Sequence, residues 1–263
     1  MSTILNLSNK IRLNTALSAD PDYSAILSYA QTQGYAIPSN SQVALQSALV
    51  TDLKAAGVWD KLDVFYVFAT NGDSDFATLN WKAPSSHQVT KVNSPTFTAD
   101  SGFAGNGSSS YLNTNYNPAN SGTNYTLNDA SISIWSNNFV LNSFITGVES
   151  GASNCVRMSS SSSNQRINMG NNAAFTPRVN LSDSSKKLRQ LNRTSSTNAT
   201  AFIDTTSTTH TASSTEIESQ NQTILRSSSF HSSTEVAFFG MGASLVSENA
   251  DFYNALNTYK SAL

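Results

Sequence analysis

The segment Asn71-Gly72-Asp73-Ser74-Asp75 has oxygen-bearing side chains at every second position and a glycine between the first two. Short calcium-binding loops begin with this pattern. No glutamate follows at the distance from which it would complete such a loop as a bidentate ligand. Asp and Asn are also the usual turn residues, because their side chains accept hydrogen bonds from nearby backbone N–H groups. We therefore favour a turn capped by Asp73 or Asp75, with Ca²⁺ binding as the alternative.

A second candidate is a pair of carboxylates, Glu216 and Glu218, in the run Thr215–Ser219. On a strand, residues two apart project from the same face. Retaining glycosidases need two carboxyl groups about 5 Å apart for acid and nucleophile. The run has no aspartate between its glutamates and no aromatic residues around them, so a glycosidase is the weaker interpretation.

The histidines and the cysteine carry little further chemistry. His87, His210 and His231 are scattered, whereas zinc sites commonly bring histidines in closely spaced pairs. The one cysteine, Cys155, excludes an intramolecular disulfide and sites with several cysteines, and we expect an inert thiol. No nucleophile elbow, phosphate loop or dinucleotide fingerprint occurs. We predict no catalytic residue, no metal ligand and no cofactor.

Aromatic and basic residues offer two binding surfaces. A stacking platform for sugar rings is one interpretation of the aromatic set Trp81, Trp135, Tyr111, Tyr116 and Tyr125. These types are also ordinary strand residues, which is the interpretation we favour. The run 186–193 is the densest basic segment, and as a strand it places Lys187, Arg189, Leu191 and Arg193 on one face. We favour a solvated face there over an anion or polysaccharide contact.

Composition restricts the class of protein. Ser, Thr and Asn supply 100 of 263 residues, and charged residues only 12% with a net charge of −2. No stretch of about 18 apolar residues is present, so we predict no membrane insertion. The positive charge is too dilute for a nucleic-acid footprint. Residues 1–7 lack the pattern of a signal peptide, so none is expected. A folded chain with a polar, weakly charged surface remains.

Two helices are predicted near the N-terminus. Asp22 is a suitable N-cap for the first, which Gly34 ends. Ser39 and Gln42 have the spacing of a capping box for the second, and Gly57 closes it. Apolar residues recur at helical spacing along both segments.

The middle of the chain has a strand pattern. Residues 62–69 form an apolar, β-branched and aromatic run, and short runs separated by Asn, Gly and Ser turns continue to about residue 240. The polar segments 159–164 and 205–214 are interpreted as hairpin loops or polar edges. Residues 236–243 form the last strand, and Ser247 is predicted to cap a final helix, 248–262, with an apolar stripe that ends at Leu263.

Three segments resemble a group of bacteriophage virion proteins. They are 53–62, 102–118 and 239–245, and with the final helix they follow the expected order over most of residues 22–263. Such proteins are similar to the laminin-G-like jelly rolls of the concanavalin A-like superfamily. Within the segments, Gly105 and Gly107 suit a turn with positive φ, and Leu53, Val58 and Trp59 suit a core that seats the helix on the sandwich.

The resemblance implies a mainly β fold: an antiparallel jelly-roll β-sandwich with an N-terminal helical segment and a short C-terminal helix. We predict an arm with helices at 1–60 as an attachment region, and the sandwich with the final helix at 61–263.

The expected function is that of a non-enzymatic virion structural protein, as capsid decoration, head fibre or tail component, assembled in the host cytoplasm. Expected partners are other virion proteins and further copies of the chain, trimers being common by resemblance. A glycan-binding adhesin that recognises the host surface is the alternative. Binding residues are not assigned at this stage.

Overall fold

The computed structural model describes residues 19–138, 140, 143–148, 157–160, 165–168, 178–179, 187–211 and 213–263. Cys155 and the first 18 residues lie outside these ranges. The helices are α1 (Pro21–Gln33), α2 (Asn40–Ala55), the single turn α3 (Pro118–Ser121) and α4 (Asn249–Ser261).

Seventeen strands follow one another among the described residues. They are β1 (Leu62–Val67), β2 (Thr90–Val92), β3 (Thr96–Thr98), β4 (Gly102–Ala104), β5 (Tyr111–Asn113), β6 (Ala130–Ser136), β7 (Ser143–Val148), β8 (Arg157–Ser160), β9 (Gln165–Asn168), β10 (Arg178–Val179), β11 (Leu188–Arg193), β12 (Asn198–Ile203), β13 (Thr206–Thr211), β14 (Gln222–Ile224), β15 (Arg226–Ser227), β16 (Phe230–His231) and β17 (Glu235–Gly242).

The strands form two large antiparallel sheets and one hairpin. Sheet A has the order β13-β12-β11-β6-β17-β4-β3, and β1 also pairs with β17. Sheet B has the order β10-β9-β8-β7-β14-β5-β2, and β15 pairs with β16 alone. The predicted mainly β fold, with helices at both ends of an antiparallel sandwich, is confirmed.

Alternation along β1 shows how sheet A is covered on both faces. Val64 and Tyr66 belong to the core shared with sheet B, whereas Phe65 and Val67 belong to a second core beneath the helices. A period of two sends successive side chains to opposite faces. Both faces are apolar here, so the strand is a continuous apolar run, as a doubly covered strand must be.

The second core, which we call the helix-side core, is formed by α1, α2 and α4 on the outer face of sheet A. Leu53, Val58 and Trp59 are buried in it, as predicted, and α4 contributes Phe252 and Leu256. The final helix departs from the prediction at its end, because Leu263 is 38% exposed.

A buried hydrogen-bond network orients the helices on this core. The Gln46 amide nitrogen donates to Thr70 Oγ1 and to the Tyr259 hydroxyl, both at 2.9 Å, and its oxygen accepts from the Tyr23 hydroxyl. Tyr259 donates in turn to the Ala69 carbonyl. A buried network of this kind stabilises the fold when each of its polar groups has a hydrogen-bond partner. Because its members lie on α1, α2 and α4, these bonds hold the three helices in one arrangement.

Two predicted helix starts need correction. The N-cap of α1 is Asp20, not Asp22, because Pro21 occupies the first helical position and Asp20 accepts the Asp22 N–H. The N-cap of α4 is Glu248, whose side chain caps no backbone N–H of the helix. The Ser247 hydroxyl, which was predicted to cap the helix, donates to Glu248 Oε1.

The capping box of α2 is half right. Ser39 Oγ accepts from the Gln42 N–H. The Gln42 side chain does not return to Ser39, because it is buried and bonded to Asp100, Thr70 and Asn71.

Candidate functional site

The β15–β16 hairpin leaves sheet B at a strained turn. Leu225 has φ 68° although its side chain is buried, and Ser228 in the two-residue turn has φ 54°. A bulky residue at positive φ is an outlier that persists only where its surroundings hold it. Strain of this kind concentrates at binding and switch sites, which draws attention to this hairpin.

Backbone contacts hold the hairpin on β7. The Leu225 N–H donates to the Ile145 carbonyl at 2.6 Å and the Ser228 N–H to the Val148 carbonyl at 2.7 Å. A Cβ at Gly147 would lie 2.3 Å from Ser227 Cβ and Oγ. Glycine is therefore required at 147 for the hairpin to lie this close to the strand.

The other end of the hairpin rests on the turn at Gly105. A Cβ at Gly105 would lie 2.0 Å from the Ser232 carbonyl oxygen. The predicted positive φ is found at Gly107 (φ 75°) and not at Gly105. Gly105 is needed for the close approach of two backbones, which a local turn pattern does not reveal.

An aromatic pair is presented to solvent by this framework. Phe230 is 59% exposed and is the one fully exposed aromatic side chain among the described residues. Its ring centroid lies 5.4 Å from that of half-buried Phe144 on β7, at an interplanar angle of 45°. Phe144 thus contacts Phe230 from β7, while more than half of Phe230 stays exposed.

A polar group lies on the other side of the hairpin. The Arg226 guanidinium stands 4.4 Å from the centre of the Tyr111 ring, and its Nε donates to the Ser228 carbonyl at 2.6 Å. His231, directly across the hairpin from Arg226, has its ring centroid 6.0 Å from that of Tyr111. Burial lowers the pKa of His231, and the charge of Arg226 lowers it further.

These five residues, Tyr111, Phe144, Arg226, Phe230 and His231, are named here the hairpin site. Its exposed ring offers a flat apolar face with a negative π surface, which suits the weakly positive C–H groups on one side of a sugar ring. Arg226 and His231 offer hydrogen-bonding groups on the opposite face of the hairpin. The arrangement is suited to binding and contains no nucleophile paired with a base.

The aromatic platform predicted from sequence is not at the surface. Four of its members are core residues: Trp81 (1% exposed), Trp135 (3%), Tyr116 (1%) and Tyr125 (4%). Tyr111 (9%) is nearly buried and contacts Arg226 and His231 of the hairpin site. The interpretation as strand residues is confirmed for Trp135 on β6 and Tyr111 on β5, whereas Trp81, Tyr116 and Tyr125 are buried outside the strands. Trp135, for example, stacks on Tyr253 of α4 at a centroid distance of 5.8 Å.

The solvated basic face predicted for 186–193 is wrong. Arg189 and Arg193 do share a face with Leu191, but they are 1% and 0% exposed and face the core between the sheets. The reason is that this face of β11, which includes Leu191, packs into the core between the two sheets and not against solvent. Lys187 stays half-buried and donates to the Asn137 carbonyl, while Lys186 lies outside the described residues.

The loop at 71–75 is a capped turn. Asp73 Oδ1 accepts from the Phe76 N–H (2.7 Å) and the Asp75 N–H (3.1 Å), and its Oδ2 accepts from the Ala36 N–H (2.7 Å). The favoured interpretation is thereby confirmed. Asp75 forms an ion pair with Lys91 at 2.7 Å.

The two glutamates do not form a matched pair on a strand. Residues 213–219 have no regular structure, with Glu216 exposed and Glu218 6% exposed. Burial raises the pKa of Glu218, a backbone hydrogen bond from Ser219 opposes the rise, and the charge of Glu216 adds to it.

The histidines are not brought together. His87 Nδ1 lies 2.8 Å from the Asn115 carbonyl, His210 lies on β13, and His231 belongs to the hairpin site. Within the described ranges no three His, Cys, Asp or Glu side chains are grouped as a metal site would need. No helix in the same part of the chain has the length and apolarity to cross a membrane.

Sequence reasoning missed Phe230 and Phe144 as a pair. The available signal was one aromatic residue, Phe230, isolated in a serine-rich stretch, 227–233. An aromatic residue among turn-forming serines has no strand neighbours to bury it, so exposure could have been inferred. Its contact with Phe144 depends on the reversal at Leu225, which no sequence pattern indicates.

Solved structures share this fold. A Trypanosoma rangeli sialidase in complex with sialic acid matches 82% of this chain and 39% of its own, with 11% identity and a TM-score of 0.53. The receptor binding domain of botulinum neurotoxin C/D mosaic serotype matches 74% of this chain and 51% of its own, with 9% identity and a TM-score of 0.52.

This chain therefore spans about two fifths of the sialidase and half of the neurotoxin domain. At such identities the likeness shows the fold alone: a lectin-like β-sandwich. No family model and no curated protein sequence matches the chain.

Proposed function

We propose that this chain is a non-enzymatic, glycan-binding β-sandwich carried on a bacteriophage particle, with the hairpin site as its saccharide contact. The observation that carries the binding role is the exposed ring of Phe230, which packs against Phe144. Aromatic residues, phenylalanine among them, are enriched at binding interfaces relative to the rest of a protein surface.

The choice of a saccharide as the ligand is supported by the similar solved structures. One similar structure is a sialidase solved with sialic acid, and another is a receptor binding domain. Saccharide is thus the first ligand class to test, although the likeness extends to part of each protein. The Ser- and Thr-rich surface is uncharged and depends little on ionic strength, which suits a protein exposed to varied media.

A glycan array of the full chain, followed by calorimetry on the glycans that bind, tests the role. Phe230→Ala should weaken binding about tenfold or more, the cost of one central aromatic contact, about 1.4 kcal/mol. Ile37→Ala is the matched control, since Ile37 is an exposed apolar residue elsewhere on the surface. Equal affinity of both variants would reject the hairpin site, and no saturable binding at all would reject the glycan role.

The non-enzymatic part of the proposal is supported by the unequal placement of the two candidate glutamates, because Glu216 is exposed and Glu218 is buried in a segment without regular structure. A test with chromogenic glycosides and sialosides should give no hydrolysis above the background. Turnover that disappears in Glu218→Gln, while glycan affinity is kept, would contradict it.

Particle association is supported by the resemblance of 53–62, 102–118 and 239–245 to virion proteins. Residues 1–60 remain the predicted attachment region, but Tyr23, Ile26, Leu49 and Leu53 are part of the helix-side core. Deleting all 60 residues would expose that core and unfold the chain for an unrelated reason. The informative truncation ends before Asp20, at residue 18.

The truncated and full chains should be compared for incorporation into purified particles. Loss of incorporation with an unchanged melting temperature supports attachment through 1–18. Normal incorporation would assign attachment to another surface. Copy number on the particle then distinguishes capsid decoration, which follows the capsid symmetry, from a tail component present in few copies.

A further inference from the structure

Sheet A ends in a strand with an unusual edge. β13 is six residues long, whereas the terminal strands β3 and β2 have three. β1, which pairs with β17 alone, is also six residues long, but Phe65 on its outer edge is bonded to Asn80 and Trp81. Proteins restrict free edges by shortening them, by charges or proline, or by bulges. β3 and β2 therefore follow the first of these rules, and β13 does not.

None of the other protections is found on β13 either. Its sequence, Thr-Ser-Thr-Thr-His-Thr from 206 to 211, contains no charged residue and no proline. Its pairing with β12 runs without a register shift from Thr206 opposite Ile203 to Thr211 opposite Asn198. All but His210 of its residues are exposed. The strand is regular and uncharged, and among the described residues β12 is its one strand neighbour.

We propose that β13 pairs antiparallel with β13 of a second copy of this chain, so that sheet A continues across a two-fold axis. A two-fold axis perpendicular to the sheet keeps the inner face of one copy continuous with the inner face of the other. Directly opposite residues share a face, so one residue must pair with its own copy at the centre. For the six residues of β13, that central residue is Thr208 or Thr209. In either register, hydroxyl and imidazole side chains meet one another and like charges never face each other. Thr–Thr contacts across strands are favourable.

The interface adds to the proposed function without depending on it. Two hairpin sites would be presented by one particle component, and two linked sites bind a surface more tightly than one through their effective concentration. Strand pairing alone buries less surface than a large obligate interface does, so a reversible dimer is expected.

Sedimentation velocity of the full chain from about 1 µM to about 200 µM brackets such an affinity. The wild type should shift from monomer to dimer across this range. Thr208→Lys/Thr209→Lys places lysine opposite lysine in either register and should stay monomeric. Thr96→Lys/Thr98→Lys, with the same added charge on the exposed residues of β3 at the other end of sheet A, should dimerise as the wild type does.

Charge reversal completes the test and excludes simple misfolding. Thr208→Glu/Thr209→Glu should be monomeric alone, and its equimolar mixture with the lysine variant should restore a dimer. A wild type that is monomeric throughout or trimeric would overturn the proposal. So would a dimer that persists in the lysine variant, or a mixture that stays monomeric.

Discussion

The helix-side core and the hairpin site differ in almost every physical respect. In the first, α1, α2 and α4 bury aromatic rings on sheet A and satisfy their polar groups internally, as Gln46 does. In the second, a short serine-rich hairpin has two residues at positive φ and exposes a phenylalanine. The contrast supports the proposal that the helix-side core supplies stability and that the hairpin site binds the ligand.

The largest expected effect compares one substitution in both regions. Phe65 is buried between Trp59, Trp81 and Phe252, with ring centroids 6.1 to 6.4 Å away. Phe65→Ala should lower the free energy of unfolding by about 3–5 kcal/mol, because it removes buried surface and leaves a cavity. Phe230→Ala should change it by less than about 0.5 kcal/mol. Equal losses in urea denaturation would break the comparison.

Gln46→Leu should cost about 1–3 kcal/mol, because Tyr23, Thr70 and Tyr259 would lose a buried hydrogen-bond partner. Gln33→Leu, at an exposed position on α1, is the control and should leave the stability near that of the wild type. Glycan affinity should be the same in both variants. A neutral Gln46→Leu would mean that apolar packing alone orients the helices.

Gly147→Ala tests the hairpin site, as Phe65→Ala and Gln46→Leu test the helix-side core. The new methyl group would overlap Ser227, so the hairpin must move, at a cost of about 1–3 kcal/mol. Unlike the core variants, this one should also lose glycan affinity, since it displaces Phe230. Adding Ser227→Gly should recover a measurable part of both losses. An affinity that survives Gly147→Ala would place the binding site elsewhere.

The smallest effect is a dependence on pH. Burial lowers the pKa of His231 and of His210. Each favours its neutral form in the folded chain, so the unfolded chain takes up protons first as the pH falls below about 6.5. Stability should therefore be full above that pH and decline below it. His210→Gln/His231→Gln should flatten the melting temperature between pH 7.5 and 5, and an unchanged slope would contradict the assignment.

Much of the fold was predictable, because it depends on local periodicity. The apolar run at 62–69 predicted β1, the last strand and the helices were found within a few residues, and the polar segment 205–214 proved to hold the edge strand β13. Errors appeared where one residue competes with another for the same role, as Asp20 and Asp22 do at the start of α1.

The site was less predictable, because it depends on which strands become neighbours. Arg189 and Arg193 alternate as expected, but only the sheet order shows that β11 is internal and its face buried. The hairpin site joins residues from β5, β7 and the β15–β16 hairpin, which the chain brings together through a strained reversal at Leu225. The spacing of residues along the sequence does not predict that reversal.

The most direct test of the account is an NMR titration of the chain, labelled at its phenylalanine rings, with a saccharide that it binds. Resonances of Phe230 and Phe144, assigned with the single alanine variants, should shift and saturate at the calorimetric affinity. Those of Phe65 and Phe252 should remain in place. Saturable shifts confined to the core rings, or binding with no change at Phe230, would contradict the separation of stability from recognition.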